Sequence, residues 1–134
     1  MFIQKHKGIN VTTILTFDEY GVSGHQNHRQ TALGCLLALK KASEGKEFKQ
    51  LERVLCLDSV SILRKYTAFG DSWISLSSTK KEHLFMNLLP FEAADHLRVH
   101  KSQLTWYRRL FIYFAKYSYC NTFTEYRKEK SKID

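Results

Sequence analysis

The sequence predicts an α/β fold, and three consecutive stretches carry that prediction. Residues 9–17, INVTTILTF, are rich in β-branched side chains. Ile9, Val11, Thr13, Leu15 and Phe17 alternate there against a second, mixed face, the pattern of a buried or half-buried strand. A loop through Gly21 and Gly24 follows, after which His28, Ala32, Cys35 or Leu36, and Leu39 recur at helical spacing. A second strand is expected at residues 53–59, RVLCLDS. Strand, helix, strand in this order is a βαβ unit, which requires a parallel sheet and a right-handed crossover.

The remaining elements follow from local chemistry. Asn27 is the expected N-cap, with the helix beginning near His28, and Gly45 in KKASEGKE is the expected stop. Residues 60–76 read as a short helical or mixed stretch broken at Gly70, and 79–90 as a short strand ending before Pro90. From Phe91 to about Tyr117 the pattern is helical with room for one break, and the final RKEKSKID reads as a solvated tail.

Composition narrows the class. A chain of 134 residues fits one domain, and 43% hydrophobic with 25% charged residues is a globular composition, not a disordered one. Apolar runs are only a few residues long, too short to span a bilayer, and MFIQKHKGIN has too few apolar residues for a secretory signal. Cys35, Cys56 and Cys120 are odd in number and far apart, as expected of reduced core thiols. The net charge of +8 is concentrated in residues 96–134, where nine Lys/Arg face three Asp/Glu. That asymmetry suits nucleic acid, an anionic membrane surface, or simple solubility.

The residues with chemistry to offer are His25 and His28, in the loop and first helical turn after the first strand. In open parallel sheets, working groups gather at the carboxyl ends of strands. One imidazole there can bind a metal while the other faces a bound substrate. On spacing alone, two polar residues in an ordinary capped loop are the more frequent reading, since two-histidine matches are common by chance.

Three ordered blocks add specificity: TFDEYGVSGHQNHRQTALG (16–34), LDSVSILRKY (57–66) and HKSQLTWYRRLFIYFAKYSYCNTF (100–123). Together they resemble the PIG-L/LmbE-like zinc-dependent de-N-acetylases, most nearly the eukaryotic branch that acts on N-acetylglucosaminyl-phosphatidylinositol in GPI-anchor biosynthesis. The resemblance implies a Rossmann-like three-layer (α/β/α) domain at the cytosolic face of the endoplasmic reticulum membrane. It implies that His28 is a zinc ligand and that His25 stabilises the oxyanion and protonates the leaving amine. Asn27 would tune His25 from behind, and His100, Ser102 and Gln103 would support the site or pack helices. Arg64, Trp106, Arg108 and Arg109 are candidates for substrate or membrane contact.

The family's HPDD-type motif, which would supply two further zinc ligands and the general base, has no counterpart in this sequence: no His-Pro dipeptide occurs, and the single proline is Pro90. His6 and Asp18 are the only nearby replacements, and neither has the motif's spacing. The expectation is therefore the C-terminal portion of one such domain over residues 1–123, its N-terminal part missing, with a charged tail at 124–134. On that expectation the chain by itself neither holds zinc tightly nor deacetylates.

Residues 104–119, LTWYRRLFIYFAKYSY, place Trp106, Leu110, Phe114 and Tyr117 at helical spacing, interleaved with Arg108, Arg109 and Lys116. A core-facing amphipathic helix is the first reading, and a helix docking on a bilayer interface the second. Two further alternatives are a non-catalytic partner subunit and a small basic nucleic-acid-binding module. No RNP, KH or zinc-finger pattern supports the last, and no nucleic-acid partner is expected.

Overall fold

The computed structural model describes residues 10–66, 83–87, 95, 98–99, 102 and 105–129. Over these residues the chain forms β1 (Thr13–Phe17), a helical turn α1 (Gly21–Gly24), α2 (Gln26–Ser43) and β2 (Arg53–Leu57). It continues with α3 (Ile62–Lys65), β3 (His83–Met86), α4 (Trp106–Phe114), a 3₁₀ turn at Lys116–Ser118 and β4 (Cys120–Arg127).

The expected βαβ unit is present. β1 pairs parallel to β2 with Thr13 opposite Arg53 and Phe17 opposite Leu57, and α2 connects them. The sheet order is β1-β2-β4-β3. β4 runs antiparallel to both β2 and β3, so the sheet is mixed rather than wholly parallel. This is the α/β arrangement of a partial Rossmann-like domain.

α2 explains why the first half packs as it does. Its buried side chains are Ala32, Cys35, Ala38, Leu39 and Ala42, one stripe at helical spacing made mostly of small residues. Small side chains let the helix lie close to the sheet, where Leu51, Val54 and Cys56 complete the core and Ile14 and Leu36 pack at its margin. Burying side chains such as Leu39, Leu51 and Val54 contributes about 1.5–3 kcal/mol each. The stop is as expected and fully formed. Gly45, at φ +69°, donates to the Ala42 carbonyl, and the Lys46 amide donates to that of Lys41, the paired bonds of a Schellman ending.

Several expectations need correction. The helix begins two residues earlier than predicted, with His25 as N-cap and Asn27 inside the first turn. β1 is half-buried, its core side being the even-numbered one: Ile14 packs on the core and Thr16 is buried, while Leu15 is 62% exposed. The C-terminal helix is shorter than predicted, ending at Phe114 because Ala115 is extended at ψ 130°. Tyr117 is therefore not on its face, and the hydroxyl of Tyr117 instead accepts from the Val60 amide. The charged tail begins later than 124, since β4 runs to Arg127 in the middle of the sheet.

Charge survives inside that strand because it is paired. The side chain of Glu125, only 5% exposed, accepts from His83 Nε2 at 2.6 Å and pairs with Arg127 Nε at 2.8 Å. The His83 hydrogen bond, then Arg127, hold the Glu125 carboxyl below the usual carboxylate range. Residues 67–82, which include the expected break at Gly70, lie outside the described residues, as do His6, His100 and Gln103.

Candidate functional site

The buried stripe of α2 runs 32, 35, 39, 42, and one turn before it, on the same line, stands His28. This places the imidazole over the carboxyl end of β1, where it stacks on Phe17 with ring centroids 4.0 Å apart and planes 13° from parallel. Its Nδ1 lies 3.1 Å from the Gly21 carbonyl oxygen. A carbonyl only accepts, so Nδ1 is the donor, and in the neutral ring the lone pair is then on Nε2. A metal-binding histidine has this form, its second nitrogen donating to a fixed acceptor. His25, exposed at the N-cap, meets His28 edge-on at a centroid distance of 5.1 Å.

The loop that carries the pair is tightly specified. Gly21 and Gly24 adopt φ +66° and +76°. A Cβ on Gly21 would come within 2.9 Å of Arg29 Cγ and 3.2 Å of His28 Cβ, so glycine is required there for space as well as for φ. Val22, at φ +64°, is β-branched in a region such residues avoid. Its amide donates to Ser59 Oγ across the gap to β2. Backbone strain of this kind concentrates at functional sites and persists only when surrounding bonds enforce it.

Asp18 supplies that enforcement. One carboxylate oxygen accepts from the amides of Tyr20 and Gly21 and from the Ser59 hydroxyl, and the other accepts from the Ser59 amide. The side chain thus ties the loop after β1 to the loop after β2. Considered in the sequence as a replacement metal ligand, Asp18 is instead the brace of the histidine loop.

The other candidates fall differently. Asn27 is exposed, and among the described residues its side chain makes no hydrogen bond; its carbonyl accepts from Thr31. His25 is the N-cap and Asn27 follows two positions on, and no hydrogen bond joins the two side chains. Ser102 is exposed. Arg64 lies in α3 with its amide on Ser61 Oγ, next to a cleft it does not line. The residue that does line the cleft, and that sequence reasoning missed, is Lys65. Trp106, 75% exposed, and exposed Arg109 flank half-buried Arg108 at the start of α4. The expected core face of this helix is not its buried one: Ile112 is buried, while Leu110 and Phe114 are 47% and 55% exposed.

The three cysteines are free and buried, as expected. Burial pushes the Cys56 thiol up to about 11, so it holds its proton at neutral pH. Among the described residues no group of three or more His, Cys, Asp or Glu side chains can hold a metal ion. His28 has the form of one ligand, but a catalytic zinc takes three from protein. These residues alone do not fit a zinc ion.

A mixed α/β sheet with two ring-contacting histidines at the end of a parallel strand is the class of site defined here. Its relatives are specific. The chain is 39% identical over 125 residues, 91% of its length and 47% of the relative's, to the Bos taurus protein named N-acetylglucosaminyl-phosphatidylinositol de-N-acetylase. It is 30% identical over 115 residues to a Schizosaccharomyces pombe protein with that name marked probable, covering 81% of this chain and 44% of the relative. A Dictyostelium discoideum protein, also named as probable, is 26% identical over 149 residues, 89% of this chain and 56% of the relative. The chain spans about half the length of the curated relatives it matches. No family model matches it. No solved structure matches it.

Proposed function

We propose that this chain carries the histidine half of a de-N-acetylase active site that acts on N-acetylglucosaminyl-phosphatidylinositol in GPI-anchor biosynthesis. The observation that supports it best is His28 itself, its ring fixed by Phe17 and its Nδ1 proton by Gly21, beside His25, within a stretch shared with relatives of that name. His28 offers Nε2 as one ligand to a zinc ion whose other donors come from outside the described residues. Zinc bound there would act as the Lewis acid of amide hydrolysis. His25, exposed beside His28, donates a proton to the departing amine and hydrogen-bonds the developing oxyanion. The strained, braced loop holds the His28 ring, and His25 rests edge-on against it.

The lipid-linked substrate fits α4, which presents Trp106, Tyr107, Leu110, Tyr113 and Phe114 to solvent with Arg109 among them. Aromatic and basic side chains together suit the headgroup region of an anionic bilayer. We place the chain at the cytosolic face of the endoplasmic reticulum on this reading; among the described residues no helix is long and apolar enough to cross a membrane.

The test is acetate release from the glycolipid by this chain co-expressed with the amino-terminal half of the Bos taurus relative. Turnover that needs both pieces supports the proposal. Full turnover by the 134-residue chain alone, or none from the pair when each piece is folded, contradicts it.

A further inference from the structure

Between the loops that Asp18 braces lies an open cleft of about 470 Å³, in the volume range of small-ligand sites. It sits at the carboxyl ends of two adjacent parallel strands, where α/β sheets receive ligands. Ser23 and Gly24 form one wall, and Ser59, Ser61 and Lys65 the other. His25 follows Gly24 directly, so the cleft opens beside the histidine pair.

Among the described residues the cleft's lining carries one formal charge, that of Lys65, and it is positive. Lys65 Nζ donates to Ser23 Oγ at 2.5 Å and lies 5.8 Å and 5.3 Å from the ring centroids of Tyr66 and Phe111. These contacts hold a long side chain that would otherwise swing freely, and Ser23 takes only one of three ammonium N–H donors. Among the described residues no carboxylate pairs with Lys65. Three acids border the lining in sequence without lining the cleft: Asp18 already accepts four hydrogen bonds from Tyr20, Gly21 and Ser59, Asp58 accepts from the Thr124 hydroxyl, and Glu19 is exposed. Ser23 Oγ accepts from Lys65 and Ser61 Oγ accepts from the Arg64 amide, which leaves each hydroxyl proton to donate. An ammonium and two hydroxyl donors facing one space match a group that only accepts and is negatively charged.

We propose that this cleft is a phosphate subsite, with Lys65 its charged anchor and Ser23 and Ser61 its neutral donors. The inference rests on the proposed function for its orientation: the phosphodiester of an inositol-lipid headgroup seats on Lys65 and turns the attached amino sugar toward His25. Lys65 is a binding residue for the anion and takes no part in proton transfer.

The experiment is a titration of the isotope-labelled 134-residue chain, followed by amide NMR, with inorganic phosphate, with glycerophosphoinositol and with uncharged inositol. Both phosphates shift the amides of Ser23, Gly24, Ser61 and Lys65, and inositol does not. Tighter binding of glycerophosphoinositol identifies the headgroup as the source, and equal binding identifies phosphate alone. Lys65→Met weakens phosphate binding by about tenfold or more, whereas Lys65→Arg, which keeps the charge, stays within about threefold of the parent. Ser61→Ala, which leaves Lys65 in place, gives a smaller loss and serves if Lys65→Met does not fold. Phosphate affinity unchanged in folded Lys65→Met, or shifts confined to other parts of the chain, overturns the proposal. Because the readout is anion binding, a phosphate site in a chain that never supports acetate release would sink the deacetylase reading and leave this one standing.

Discussion

The loop after β1 and the helix α4 were the two most distinctive stretches of the sequence, and they behave in opposite ways. In the loop nearly every polar group is committed: Asp18 accepts four hydrogen bonds, the Val22 amide finds Ser59, and the Gly21 carbonyl fixes a histidine. In α4 the apolar side chains are the exposed ones, with only Ile112 buried. A site that must hold two imidazoles in register is built rigid, at a cost in backbone strain. A surface that meets a lipid or a partner is left apolar and open. On the proposed function, the first region does the chemistry and the second docks.

The contrast is broken most severely at Gly21. Gly21→Ala forces a Cβ into Arg29 and His28 at φ +66°, and the expected loss is about 3 kcal/mol, read as a fall in the denaturant midpoint. An unchanged midpoint would mean that the loop is not under the constraint described. Asp18→Ala unties the two loops and leaves the amides of Tyr20 and Ser59 without their side-chain acceptor, an expected loss of about 2 kcal/mol. It should also change the amide resonances of residues 20–28 more than those of β4.

A gentler probe is alkaline pH. Burial, reinforced by Cys35 and then Asp18 and Asp58, raises Cys56 to about 11, whereas a thiol in the unfolded chain ionises near about 8.5. The folded state therefore keeps its proton longer. Its contribution to stability is complete below the unfolded value and is lost as pH rises through about 11. Thermal midpoints measured from pH 8 to 11 should fall more steeply for the parent than for Cys56→Ala. The smallest effect on stability belongs to α4: Trp106→Ala, at a site 75% exposed, should shift it by no more than about 0.5 kcal/mol. The same change, and Arg108→Glu/Arg109→Glu, should reduce flotation with anionic vesicles. Flotation unaltered by the charge reversal would remove the membrane reading of this face.

What the sequence revealed followed from repetition. The α2 stripe and its Gly45 stop were legible because periodicity and a positive-φ glycine leave direct marks, and the same stripe extended one turn back predicts the direction of His28. β4 was not legible. Its CNTFTEYR carries a buried carboxylate whose partners, His83 and Arg53, lie far away in the chain, so the strand reads as polar tail until those contacts form. The end of α4 was missed for a related reason, since Ala115 is an ordinary helix residue and the break goes with the burial of Ala115, Lys116, Tyr119 and Cys120 as the chain turns into β4. Lys65 was passed over for Arg64 because a four-residue helix has no periodicity to say which neighbour faces the cleft. Asp18 read as a turn residue or a spare ligand, and its role as a brace depends on Ser59, 41 positions away.

The division of labour between the two imidazoles is tested most directly by zinc affinity and turnover measured together, on this chain joined to the amino-terminal half of the Bos taurus relative. His28→Ala should lower zinc affinity by on the order of 100-fold or more and abolish acetate release. His25→Ala should leave zinc affinity as it was and slow turnover by about 10²–10⁴-fold. Equal zinc affinity in the parent and in His28→Ala would contradict the account.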